Sequence, residues 1–232
     1  MKQQSIQGTW TLTRPTPERT IRRSVQENAS QAIAEFEPGT DLCMLTKGRF
    51  SLIDLIRALL DKTGPADVTV STWTAARREI DEASELLRET RIRSIQWLVD
   101  FSFCRRQPAY AAQLRERFGD DCIRSTMNHA KFVMIRNDEW SIVVRTSMNL
   151  NKNERLEYAE ISQDERFADF LAETVREVFE DQPVGGWIEE RPRDVKNQFD
   201  ELGVEVSSFE ASSYGSDLRD PMKPGLSPWP TD

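Results

Sequence analysis

Two unbroken apolar runs, Phe132-Val133-Met134-Ile135 and Ile142-Val143-Val144, flank a turn-forming Asn137-Asp138. A strand with one wet face alternates apolar and polar residues, whereas a strand covered on both faces reads as a continuous apolar run. Two such runs joined by a short turn predict a hairpin in the centre of a sheet with helices on both of its faces. This excludes an all-helical bundle and a two-layer sheet with one solvated side.

The flanking sequence supplies the other layers. DLCMLTKG (41–48) reads as a strand. Phe50, Leu52, Ile53, Leu55, Ile56, Leu59 and Leu60 recur at helical spacing, with Ser51 as N-cap and Gly64-Pro65 as the stop. DVTVSTW (67–73) is β-branched and strand-like, 74–90 is a polar amphipathic helix, and IQWLVDFSF (95–103) is a further strand. A short helix near 108–118 ends at Gly119 and is followed by strands at CIRST (122–126), 132–136, 139–145 and LEYAEIS (156–162), then a helix over about 164–180. Strands that alternate with helices before a hairpin predict an α/β sandwich with a central mixed sheet over residues 41–182. An N-terminal extension, 1–40, holds a short alternating segment at Thr9-Trp10-Thr11-Leu12 and a helix-like stretch near 18–34. Residues 183–232, with a Ser-rich patch at 207–216 and a Pro-rich finish, read as a mobile acidic tail carrying Trp187 and Trp229.

Composition narrows the class. With 232 residues, 38% hydrophobic and 30% charged, the chain can bury one real core and is expected to be soluble. It has no apolar run long enough for a bilayer, and its opening, MKQQSIQGTWTLTRP, lacks a signal peptide's hydrophobic core, so a cytoplasmic protein without membrane contact is expected. The net charge of −8 hides an asymmetry: residues 1–136 hold 21 Lys and Arg against 17 Asp and Glu, whereas 137–232 hold 10 against 22. The half that holds His129 is the basic one, and any contact with a polyanion must be local. Cys43, Cys104 and Cys122 are widely spaced and odd in number, which predicts reduced, mostly buried thiols. With one histidine and no CxxC, no zinc cluster is available, and no metal or other cofactor is expected.

The chemistry gathers around the one histidine, His129. Lys131 follows two residues later, and the predicted hairpin returns the chain to Ser147-Met148-Asn149. An imidazole can attack phosphorus or, when charged, protonate a leaving oxygen. A lysine with Ser and Asn donors can meet the negative charge of phosphoryl oxygens. His129, Lys131, Ser147 and Asn149 thus form a set suited to a phosphodiester. Each residue also has an ordinary structural use, since Ser147 and Asn149 are turn formers and His129 and Lys131 stand at the start of a strand. The basic pairs Arg77-Arg78 and Arg105-Arg106 either line an approach for a polyanion or form salt-bridged solvent faces.

His129-Ala130-Lys131, an apolar strand, Asp138, a second apolar strand, Thr146-Ser147-Met148-Asn149 and then Glu157 resemble the HxK…D…GSxN signature of the phospholipase D-like superfamily. The order of strands and helices over 41–182 is similar to one repeat of that fold, a phospholipase D-like α-β-α sandwich, and the chain also has the style of phage and prophage proteins. Three features depart from the signature. Arg136 stands where the Asp usually falls, Thr146 replaces the Gly, and His129 is a few residues farther from Asn149. The resemblance implies metal-independent displacement through a phosphohistidine, with His129, Lys131, Asn149 and Glu157 catalytic and with Lys131, Ser147 and Asn149 on the phosphate. Glu157 matches the acidic position whose carboxylate orients the imidazole. The family uses two histidines, so a single-motif chain implies a homodimer in which a second copy supplies the other. Nucleic acid is the implied substrate. A catalytically silent module that binds phosphate or nucleic acid, and a phospholipid-directed phosphodiesterase, are the alternatives.

Overall fold

A computed structural model of the chain describes residues 28–152 and 154–186. The alternating segment at 9–12, most of the helix-like stretch at 18–34 and the tail beyond 186 lie outside these residues. The described elements are α1 (Ala29–Ala32), β1 (Asp41–Lys47), α2 (Leu52–Thr63), β2 (Ala66–Thr72), α3 (Arg77–Arg88), β3 (Ile92–Asp100), α4 (Phe103–Arg106), α5 (Pro108–Phe118), β4 (Ile123–Thr126), β5 (Phe132–Arg136), β6 (Ser141–Thr146), β7 (Leu156–Gln163) and α6 (Glu165–Asp181).

The seven strands form one sheet in the order β1-β7-β6-β5-β2-β3-β4. β2, β3 and β4 run parallel, while β2–β5, β5–β6, β6–β7 and β7–β1 are antiparallel. The sheet is mixed, as the sequence predicts. Its faces divide the two apolar runs between two cores. Val133, Ile135, Ile142 and Val144 join the large core formed with α2, α3 and α5. Met134 and Val143 point the other way, onto Ala168 and Val175 of α6. Successive strand residues face opposite sides, so an unbroken apolar run is what a three-layer sandwich requires at its centre. The segment before β1 also contributes, because Ile33 and Phe36 are buried in the large core and the Phe36 ring lies 6.2 Å from that of Trp140.

Local chemistry sets the boundaries. α2 begins at a reciprocal capping box in which the Asp54 carboxylate accepts from the Ser51 amide at 2.8 Å while Ser51 Oγ receives the Asp54 amide at 3.4 Å. It ends at Gly64, whose φ of 75° is open to a residue without Cβ. The expected strand at 95–103 begins earlier, at Ile92, and stops at Asp100, because the Asp100 carboxylate accepts from the Ser102 amide at 3.0 Å and turns the chain into α4. α3 starts at Arg77 instead of residue 74, since Ala75 pairs as an isolated bridge with Leu150 and keeps that stretch extended. All three cysteines are free thiols, and Cys43 is exposed instead of buried because it alternates along β1 with Leu42 and Met44, which face the large core, and so lies on the opposite, open face. Among the described residues no helix is long and apolar enough to cross a membrane.

This packing predicts that Ile142→Ala, which empties a fully buried position between β5 and β7, lowers stability by about 2–5 kcal/mol. Urea unfolding should show an earlier midpoint with an unchanged slope.

Candidate active site at the β5–β6 strand ends

Strand direction assembles the site. The carboxyl ends of β2, β3 and β4, the start of β5, the end of β6 and the start of β7 all lie at one end of the sheet. In open α/β sheets the crevice beyond the carboxyl ends of parallel strands is where ligands bind. His129 and Lys131 enter β5 at this end. The pairing Phe132↔Arg145 carries Thr146 beside Lys131, whose carbonyl accepts the Thr146 amide at 3.2 Å.

Lys131 Nζ donates to the His129 carbonyl at 2.9 Å and stands 3.5 Å from the same residue's Nδ1. His129 is exposed and Lys131 half-buried. Burial holds the Lys131 ammonium below the ordinary lysine range, and the nearby Glu157 charge raises it in partial compensation. Ser147 Oγ donates to the Glu157 carboxylate and accepts the Tyr158 amide at 2.9 Å, while the Ser147 amide donates to the Tyr158 carbonyl at 3.0 Å. His129, Lys131, Ser147 and Glu157 therefore form one connected group. In it Glu157 is engaged by Ser147 and acts by its charge on Lys131.

Asn149 sits on the neighbouring segment, which is pinned elsewhere. The Leu150 amide donates to the Thr74 carbonyl at 3.2 Å, the Leu150 carbonyl accepts the Ala76 amide at 2.9 Å, and Met148 and Leu150 are buried on either side of Asn149. The Asn149 Oδ1 atom is buried and has no hydrogen-bond partner among the described residues. A buried amide left without a partner costs free energy in the folded state, which makes it a candidate to receive a ligand donor. The buried Glu79 of α3 interacts with the Lys152 amide just beyond, and desolvation raises its carboxyl pKa.

Asp138 is not in this group. It occupies the exposed turn at the far end of the β5–β6 hairpin, and the Arg136 guanidinium pairs with Asp169 of α6 at 2.8 Å. Arg78 is bound to Glu82 at 2.6 Å and to Asp54 at 3.2 Å, which places that basic pair on a salt-bridged face. Arg106, in contrast, packs beside the site. A groove of about 300 Å³ between α1 and α2, lined by Arg49, Phe50 and Arg57 among others, contains none of His129, Lys131, Ser147, Asn149 and Glu157 and lies apart from the chemistry. Among the described residues no three of His, Cys, Asp and Glu are grouped to hold a metal ion.

Sequence reasoning missed Asn128. This residue is buried, and its amide donates to Asp100 at 3.1 Å. Its side-chain nitrogen donates to Ser71 Oγ at 3.0 Å and to the Leu98 carbonyl at 3.1 Å, and its Oδ1 accepts the Ala130 amide at 3.0 Å. Ser71 Oγ donates in turn to the Ala130 carbonyl at 2.9 Å. The residues on both sides of His129 are thereby bonded to β2 and β3. The available signal was its place directly before the histidine, together with a side chain that can donate and accept at once.

No protein-family model matches the chain, and no curated protein does. Among solved structures, NucT from Helicobacter pylori is similar at 14% identity and a TM-score of 0.45, over 62% of this chain and 98% of that one. TrmBL2, an archaeal chromatin protein whose structure is described as showing a novel mode of DNA binding, is 11% identical with a TM-score of 0.40, over 61% of this chain and 53% of its own. Polyphosphate kinase from Porphyromonas gingivalis is 12% identical with a TM-score of 0.46, over 78% of this chain and 30% of its own.

Two outcomes test this geometry. Asn128→Ala leaves buried partners unpaired and should cost about 1–3 kcal/mol, with faster hydrogen exchange at the Ala130 amide. Glu157→Gln removes the charge that raises the Lys131 pKa, so amine labelling of Lys131 followed across pH should have its midpoint at lower pH than in the wild type.

Proposed function

We propose that the chain is a metal-independent phosphodiesterase of the phospholipase D-like type, a single-motif member that works as a homodimer on nucleic acid in the cytoplasm. Residues 41–182 are its catalytic domain. The observation that carries this reading is the connected group of His129, Lys131, Ser147 and Glu157 at the strand ends. Lys131 and Ser147, with the Asn149 amide, hold the phosphoryl oxygens. Lys131 Nζ donates to the His129 carbonyl, and the ring tautomer with its proton on Nδ1 leaves the Nε2 lone pair for phosphorus. The Nε2 lone pair attacks phosphorus, the bond to the leaving oxygen breaks, and that oxygen takes a proton from the imidazolium of the second copy's His129. The imidazole so formed then accepts a proton from water, whose oxygen attacks the phosphohistidine and breaks the N–P bond. Arg105, near the carboxyl end of β3, supplies local positive charge for a polyanion despite the acidic total.

Hydrolysis of bis(p-nitrophenyl) phosphate and of single- and double-stranded DNA in excess EDTA tests the reading. Turnover should survive chelation and fall by about 10²–10⁴-fold in His129→Ala. Specific activity should decline on dilution as dimers dissociate. Salt-sensitive DNA binding without turnover in either protein would replace the enzyme with a silent binding module.

A further inference from the structure

The indole of Trp73 lies in the loop directly after β2, against the His129 ring, with centroids 6.0 Å apart and planes at 61°. Its other neighbour is Arg106, whose guanidinium carbon stands 3.6 Å from the indole centroid and whose Nη2 donates to the Trp73 carbonyl at 2.8 Å. Arg106 Nε donates to Ser102 Oγ at 2.8 Å, and Ser102 is bonded to Asp100. Asp100 also accepts the Asn128 amide. The contacts thus close a circuit that begins at the main chain before His129 and returns to its ring. The same loop continues into Thr74, which holds Leu150 next to Asn149.

We propose that Trp73, clamped by Arg106, is a positioning residue that fixes the orientation of the His129 imidazole for attack. This inference rests on the phosphodiesterase reading of the site. An exposed histidine samples several side-chain rotamers, and a nucleophile must aim its lone pair along one line. A carboxylate partner would orient the ring by occupying one of its nitrogens. An edge-to-face aromatic contact restricts the ring through its carbon surface and leaves Nε2 for phosphorus. Arg106 makes the contact rigid, because a cation stacked on the indole and bonded to the same residue's carbonyl stops the indole from swinging away.

The test compares wild type with Trp73→Leu, Trp73→Phe and Arg106→Met by two readouts. His129 is the only histidine, so its ring protons are the single imidazole signals in the proton NMR spectrum. In Trp73→Leu these resonances should shift, as the indole ring current is lost, and broaden. With bis(p-nitrophenyl) phosphate in EDTA, kcat should fall roughly 3- to 10-fold while KM stays within about twofold, and Trp73→Phe should recover most of the rate. Arg106→Met keeps the indole and should give a smaller loss, which serves as the decisive variant if Trp73→Leu does not fold. Unchanged imidazole resonances, or a raised KM with kcat intact, would overturn the inference. If the wild-type protein shows no turnover, the phosphodiesterase reading fails, and the imidazole resonances alone then decide whether Trp73 orients His129.

Discussion

The burial of β5 and β6 on both faces is the constraint on which the rest of the architecture hangs. With Val133, Ile135, Ile142 and Val144 committed to one core and Met134 and Val143 to the other, the hairpin can adopt one register only. A slip of one residue would exchange the two sets and push each into a space shaped for the other. That single register brings Lys131 and Thr146 together at the strand ends. The placement of charged and reactive groups is thus an outcome of apolar packing, and the polar residues need only be correct at the exits of the strands.

What apolar packing leaves unspecified, hydrogen bonds supply. The segment between β4 and β5 contains exposed Met127, His129 and Ala130, which apolar burial does not fix. Asn128 is the exception, buried and bonded to β2, to β3 and to the Ala130 amide of its own segment. One amide side chain therefore converts an open connection into a framework for the residue that follows it. Buried polar groups of this kind are costly unless every donor and acceptor is used, and here the donors and the acceptor of Asn128 are all engaged.

The order of elements was legible because each depends on short-range pattern. Continuous apolar runs marked β5 and β6, the Ser51 cap and Gly64 marked α2, and β-branched residues marked β2. The mixed sheet followed from strands that alternate with helices before a hairpin. Three things were not legible. The insertion of β2 between β3 and β5, and the pairing of β1 with β7, join residues far apart in the chain and leave no local trace. The end of β3 at Asp100 turns on a side chain capping its own backbone, which competes with strand propensity in a stretch, Phe101 to Phe103, that reads as a continuation. The supporting roles of Asp100, Asn128 and Trp73 arise only when the strand ends converge. The grouping of His129 and Lys131 could be read from their spacing, whereas the place of Asp138, at the wrong end of the hairpin, follows from the turn geometry of Asn137, whose side-chain Oδ1 accepts the amides of Glu139 and Trp140.

The pairing of β1 with β7 also governs the order of events during synthesis. Among the described residues the first strand of the sheet has one partner, and that partner is the last of these strands to be made. While the ribosome produces the intervening hundred or so residues, β1 remains an unpaired edge, and loop closure of that length delays its docking. β2 waits similarly for β5. Nascent chains that have not reached β7 hold an incomplete sheet with open edges available to other chains. Cotranslational folding is therefore expected to finish in one late step, in which sheet closure and the arrival of Glu157 at the site coincide.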